Sequence, residues 1–176
     1  MKYDLVIFDL DGTLMDTSKS ITKTVNSAME ELGKKQYSAN ECVKFVGGGV
    51  SGLARNILGK EKYDDVTNEE MEKVIRKYYD IYFDYGVEPY EGIPELLDFL
   101  EQNGVKKGIV TNKDHETALS AVDKKLSKWK FDGIFGSNEK EYPNKPNPYN
   151  VDKMAQNLNI SKEKIKQRIK KMGKLI

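Results

Sequence analysis

Two aspartates, Asp9 and Asp11, stand two positions apart in the run Asp9-Leu10-Asp11-Gly12-Thr13-Leu14, directly behind the apolar tetrad Leu5-Val6-Ile7-Phe8. If the tetrad is a strand, this spacing turns both carboxylates to one side as the chain leaves it. That place is the carboxyl end, where open parallel sheets bind ligands. Like charges about 4 Å apart repel by about 4 kcal/mol at an effective dielectric of about 20, so the pair calls for a cation. Gly12 lets the backbone approach a phosphoryl group closely, and Thr13 can donate to that group or fix the turn. The plainer alternative is that the two acids only end the strand and cap its turn.

Two later segments carry polar groups at positions that such a site could use. Val110-Thr111-Asn112-Lys113 ends a second apolar run, and Lys145-Pro146-Asn147-Pro148 precedes a helical pattern. Taken alone, Thr111 reads as β-propensity and Lys145 as a solvated lysine before a proline-rich turn. His115 reads as a surface residue. Cys42 reads as a small buried hydrophobe, while Trp129 and the tyrosines from 78 to 90 read as packing rather than a base-stacking platform.

The elements that would position these residues alternate strand and helix. Residues 5–8 form a continuous apolar run suited to a strand buried on both faces, and 107–111 and 131–135 read as further parallel strands. Ile21, Val25, Met29 and Leu32 recur at helical spacing up to Gly33. Thr67 with Glu70 forms a capping box ahead of Met71, Val74, Tyr78 and Tyr82. Pro94 leads a helix through Leu96, Leu97 and Leu100, and Pro148 leads another through Val151, Met154 and Leu158. The expected fold is α/β: a Rossmann-like parallel sheet core made of 1–15 and 89–176, with a helical domain inserted over 16–88. Some eighty residues without a convincing strand are far more than a crossover needs.

The 176 residues suit one domain carrying such an insert, and 38% hydrophobic with 32% charged residues places the chain among globular proteins rather than disordered ones. A net charge of +1 argues against a dedicated nucleic-acid binder. The charge is uneven, since 161–176 holds seven basic residues against one acidic. The short apolar run near the start, broken by Asp9, suits neither a signal peptide nor a membrane span, so the expectation is a cytoplasmic protein with no membrane partner. A lone cysteine allows no internal disulfide and no paired-thiol zinc site.

The hexapeptide at Asp9 resembles the first motif of the haloacid dehalogenase-like superfamily, and Thr111 and Lys145 follow in the order of its second and third motifs. Over residues 2–160 the Thr-Asn-Lys wording, the Asp16-Thr17 pair and the helical insert look like the phosphoglycolate phosphatase group. The resemblance implies a magnesium-dependent phosphatase in which Asp9 is the nucleophile and Asp11 the general acid and base. Asp9 and Asp11 would hold Mg2+, while Thr111 and Lys145 would steady the phosphoryl group. Gly12, Thr13 and Asn112 would touch the substrate, a small phosphorylated metabolite with phosphoglycolate foremost. The insert would be a mobile cap that excludes water. In it, Gly47-Gly48-Gly49 with Ser51 and Gly52 lacks the lysine of a nucleotide cradle. This stretch is either a substrate-reaching loop, with Arg55 as an anion partner, or a plain interhelix turn.

The family's fourth motif, a Gly-Asp with a further Asp, does not follow Ile160. Ile165, Ile169 and Met172 are spaced for an amphipathic helix, so the last core strands are expected to be missing and 5–8 to lie at an exposed sheet edge. Weak magnesium binding, impaired activity and a monomer or weak dimer follow from that expectation, as does a shortened or shifted reading frame near Ser161. A sugar-phosphate mutase of the same superfamily and an inactive remnant that only binds phosphate or a partner are the alternative readings.

Overall fold

The structure is a computed structural model and describes residues 2–61, 63, 65–138 and 141–168. The chain divides into two compact units, one made of 1–16 with 88–176 and the other of 17–87.

The first unit is built on a four-stranded parallel sheet in the order β5-β4-β1-β6. Its strands are β1 (Leu5–Phe8), β4 (Lys106–Asp114), β5 (Gly133–Ser137) and β6 (Ile165–Arg168). Helices α5 (Ile93–Gln102), α6 (His115–Leu126) and α7 (Tyr149–Asn157) alternate with them. The apolar run of β1 is explained by its neighbours, because a central parallel strand is covered on both faces. Leu5, Ile7, Val110, Phe135 and Met154 form one buried cluster, and burying each such side chain is worth about 1.5–3 kcal/mol. Leu97 and Leu100 of α5 with Ala118, Val122 and Leu126 of α6 are also buried. Pro94 falls in the first turn of α5, where its missing N–H costs nothing.

Two expectations are corrected here. Residues 165–168 are not the start of a helix but a strand in register with β1, Leu5 opposite Ile165 and Phe8 opposite Arg168. Accordingly β1 is not a sheet edge, since β4 and β6 flank it. The four-residue spacing of Ile165 and Ile169 fits either period, and pairing with β1 decides between them. Asp4 N–H donates to the Lys164 carbonyl at 2.9 Å and sets the register one residue earlier. Ile169 and Met172 lie outside the described residues. The second correction is small: β2 (Met15–Asp16) and β3 (Glu88–Pro89) pair antiparallel, two residues each, too short to leave a pattern in the sequence.

The second unit is helical: α1 (Ser18–Glu31), α2 (Ala39–Lys44), α3 (Gly49–Glu61) and α4 (Asn68–Tyr82). Its own core gathers Val25, Met29, Cys42, Leu53, Ile57, Met71 and Ile75, all buried. The capping box expected at Thr67 is present in both directions: Glu70 N–H donates to Thr67 Oγ1 at 3.2 Å and Thr67 N–H to Glu70 Oε2 at 2.9 Å. Cys42 is fully buried, which pushes its thiol up to about 11. Among the described residues no helix is long and apolar enough to cross a membrane.

Candidate active site

Asp9 and Asp11 leave the carboxyl end of β1 on a turn wound around one carbonyl. Leu10 C=O accepts from Thr13, Leu14 and Met15 at 3.3, 3.0 and 3.0 Å, and Gly12 N–H donates to Met15 C=O at 2.8 Å. Gly12 sits at φ 71°, a left-handed conformation that side chains resist, so a glycine makes this winding possible. Its N–H is therefore spent on the turn. Thr13 Oγ1 is buried and has no hydrogen-bond partner among the described residues.

Each carboxylate faces a lysine. Lys145 Nζ lies 2.7 Å from Asp9 Oδ1 and Lys113 Nζ lies 3.3 Å from Asp11 Oδ1. Both aspartate side chains are 19% exposed, against 14% for Lys145 and 2% for Lys113. The like-charge repulsion inferred from the sequence is thus offset by two ammonium groups. Leu10 N–H also donates to Asp9 Oδ1 at 2.8 Å, which concentrates the contacts of Asp9 on one oxygen.

The second strand supplies three consecutive side chains because its pairing with β5 is irregular. Val110 stands opposite Phe135 and Asp114 opposite Ser137, so β4 spends four steps where β5 spends two. Extra residues of this kind re-aim side chains, and they are common beside active sites. Thr111, 3% exposed, accepts Lys113 N–H on Oγ1 at 3.2 Å. Its hydroxyl proton stays available for a further acceptor. Asn112 engages the Lys145 backbone: Oδ1 accepts Lys145 N–H at 2.7 Å and Nδ2 donates to Lys145 C=O at 3.4 Å. The irregular stretch is held from β5, where Gly136 permits close approach. A Cβ there would meet His115 Cα at 2.5 Å and Lys113 O at 2.7 Å. His115 is half-buried rather than a plain surface residue, its Nδ1 accepting Gly136 N–H at 3.2 Å and its ring lying against Tyr142.

The loop that carries Lys145 is tied from inside by Asn150 of α7, 1% exposed, whose Nδ2 donates to Pro143 C=O at 2.9 Å. Tyr90 completes the surroundings. Burial raises its phenol above the ordinary value, and the nearby Asp16 and Asp11 carboxylates raise it further, so a neutral hydroxyl stands near Asp11.

Two sets of contacts, Asp9 with Lys145 and Asn112, and Asp11 with Lys113 and Thr111, adjoin at the carboxyl end of the sheet as one cluster. Lys113 belongs to it and was missed by sequence reasoning, although its letter directly follows Thr111-Asn112. Arg55 lies in the other unit, exposed on α3, with its guanidinium beside Gly48. The glycine stretch before it is shaped by Gly52, where a Cβ would collide with the Gly47 carbonyl.

Two carboxylates offer hard oxygen donors, which suits magnesium, a cation commonly held by one or two carboxylates with waters and phosphate oxygens. Among the described residues no group of three or more His, Cys, Asp or Glu side chains is placed to hold a metal.

The model of the haloacid dehalogenase-like hydrolases matches residues 6–166, five residues past the point where the sequence suggested a frame change. A phosphoglycolate phosphatase of Aquifex aeolicus is 34% identical over 163 residues, covering 91% of this chain and 72% of that protein. The pyrophosphatase PpaX of Halalkalibacterium halodurans is 31% identical, covering 93% and 73%. The solved structure of a Lactobacillus delbrueckii protein matches with a TM-score of 0.87 at 26% identity, covering 95% of this chain and 78% of that one.

Proposed function

Given that the chain belongs to the haloacid dehalogenase-like hydrolase family, we propose that it is a phosphatase of small phosphate esters that works through an aspartyl-phosphate on Asp9. The observation that carries this reading is the 2.7 Å contact between Lys145 Nζ and Asp9 Oδ1 at the end of β1. With Oδ1 held by that ammonium and by Leu10 N–H, Oδ2 is the oxygen that attacks phosphorus in line with the leaving oxygen. Lys145 neutralises charge that builds on the transferring group, and the Thr111 hydroxyl donates to one of its oxygens.

Asp11 protonates the leaving oxygen and in the second step takes a proton from the water that attacks the aspartyl-phosphate. Lys113 fixes the direction of its carboxylate. Asp9 and Asp11 would hold magnesium, whose contribution when bound is to neutralise phosphate charge and orient a phosphoryl oxygen. The 17–87 unit is assigned the role of a cap that excludes water, with Arg55 as its candidate anion contact. A cytoplasmic location belongs to the same reading.

Phosphoglycolate is the leading substrate, and pyrophosphate stands second because relatives of comparable identity carry the pyrophosphatase name. The test is release of phosphate from phosphoglycolate, pyrophosphate and an aryl phosphate, with and without magnesium, by the wild type and by Asp9→Asn. Turnover that needs both magnesium and Asp9 supports the proposal. No turnover on any substrate, or turnover unchanged in Asp9→Asn, refutes it, and phosphate passed to a sugar instead of water would make the chain a mutase.

A further inference from the structure

Asn112 occupies an unusual place in this network: it touches neither carboxylate, and its side-chain amide lies along the main chain of the lysine that does. The Lys145 N–H reaches Oδ1 at 2.7 Å, while Nδ2 faces the Lys145 carbonyl at 3.4 Å. Because a peptide N–H only donates, the short contact fixes which end of the amide is the oxygen. The other end of the same residue, Nζ, meets Asp9 Oδ1 at 2.7 Å.

We infer that Asn112 is a positioning residue for the Asp9 reaction, acting through Lys145 by clamping its backbone rather than by contacting substrate. This inference rests on the proposed role of Lys145 beside Asp9. The physical need is plain in the chain's own construction. Lys145 stands in a loop between β5 and α7, not on a strand or helix, and a loop by itself holds a side chain less firmly than a sheet does. Asn150 fixes this loop at Pro143, two residues before the lysine, and Asn112 fixes the lysine itself. The irregular pairing of β4 over 110–114 provides the aim, since it places Asn112 and Lys113 in succession, one on Lys145 and the other on Asp11. A single departure from regular pairing thus sets the cation opposite each carboxylate. Displacing a charge-stabilising group by about 1 Å can cost about 100-fold in rate, so the clamp has a kinetic consequence although it touches no substrate atom.

The experiment has two arms. In the first, surface amines are acylated with limiting acetic anhydride, and the extent at Lys145 relative to Lys153 is read by peptide mass spectrometry. In Asn112→Leu the relative labelling of Lys145 should rise by about five-fold, the factor expected when one hydrogen bond is lost. In Asn112→Asp, which keeps an acceptor for the Lys145 N–H but loses the donor to its carbonyl, it should rise less than in Asn112→Leu. Unchanged labelling in Asn112→Leu overturns the clamp, and it does so whether or not the wild type hydrolyses any phosphate ester. Should the leucine variant fail to fold, Asn112→Ala is read in its place.

The second arm is kinetic. A fall of about 10- to 100-fold in kcat with KM kept within about two-fold, and no further loss when Asn112→Leu is added to Lys145→Met, supports action through Lys145. A raised KM with kcat preserved would make Asn112 a direct substrate contact and overturn the inference. Failure of the phosphatase reading itself shows separately, as absence of turnover in the wild type.

Discussion

Lys113 reaches Asp11 from β4 with its Nζ 3.3 Å from Oδ1, and 2% of its side chain is exposed. A buried ammonium of this kind is tied to its partner more tightly than a surface one, because water screens the pair less. Lys145, more open and set on a loop, meets Asp9 instead. The two lysines should therefore answer differently to removal.

Lys113→Met is expected to lower the stability of the protein by about 2 kcal/mol, the size of a hydrogen bond to a charged group. Lys145→Met should change stability little but cut kcat by about 100-fold or more. Urea unfolding beside steady-state kinetics of both variants checks this. Equal effects of the two substitutions on stability would contradict it.

Gly136 is the point where β5 meets the irregular stretch of β4 that carries Lys113, and even a methyl group there overlaps His115 Cα and the Lys113 carbonyl. Gly136→Ala should cost about 1–3 kcal/mol through forced backbone shifts. It should also lower kcat, because the displaced stretch of β4 carries Lys113. Gly59→Ala, inside α3 where nothing lies within 4 Å, is the control and should stabilise by about 0.5–1 kcal/mol. The comparison is made by urea unfolding of the two alanine variants.

The helical unit offers a pH-dependent prediction. Glu41 is held down to about 2 by its side-chain and backbone bonds with Ser38, the capping box of α2. A carboxyl lowered on folding stabilises the protein above its ordinary value of 4.5, and that contribution is lost as pH falls toward 2. Glu41→Gln keeps the shape of the box without the titration. The melting temperature of the wild type should exceed that of Glu41→Gln at pH 6, and the gap should close by pH 2. A gap that stays constant over this range would show that the carboxylate charge contributes nothing.

Much of the fold was legible because its signals are local. The apolar tetrad before Asp9, the Thr67-Glu70 box and Pro94 each mark an element whose cause lies within a few residues. The gathering of Asp9, Asp11, Thr111 and Lys145 was legible for a similar reason, since Asp9 and Asp11 directly follow β1, Thr111 stands in the second half of β4 and Lys145 lies in the loop after β5. What escaped was non-local. Residues 165–168 become a strand only because β1 has an open flank to pair, and nothing in their own spacing says so. The tasks of Asn112 and Lys113 depend on four residues of β4 being matched to two of β5, a relationship that neither segment displays alone. Gly12 illustrates a third case: the left-handed turn and the bond to Met15 that call for a glycine there are tertiary facts its letter does not display.

In the proposed reaction the passage of the phosphoryl group from substrate to water runs through Asp9. It is tested most directly by acid-quenching the wild type during turnover of phosphoglycolate, or of whichever ester it hydrolyses best, and mapping phosphorylated peptides by mass spectrometry. One modified peptide is expected, bearing the mass of a phosphoryl group on Asp9 and absent from Asp9→Asn. A phosphoryl group on any other residue, or steady turnover by Asp9→Asn at the wild-type rate, would contradict it.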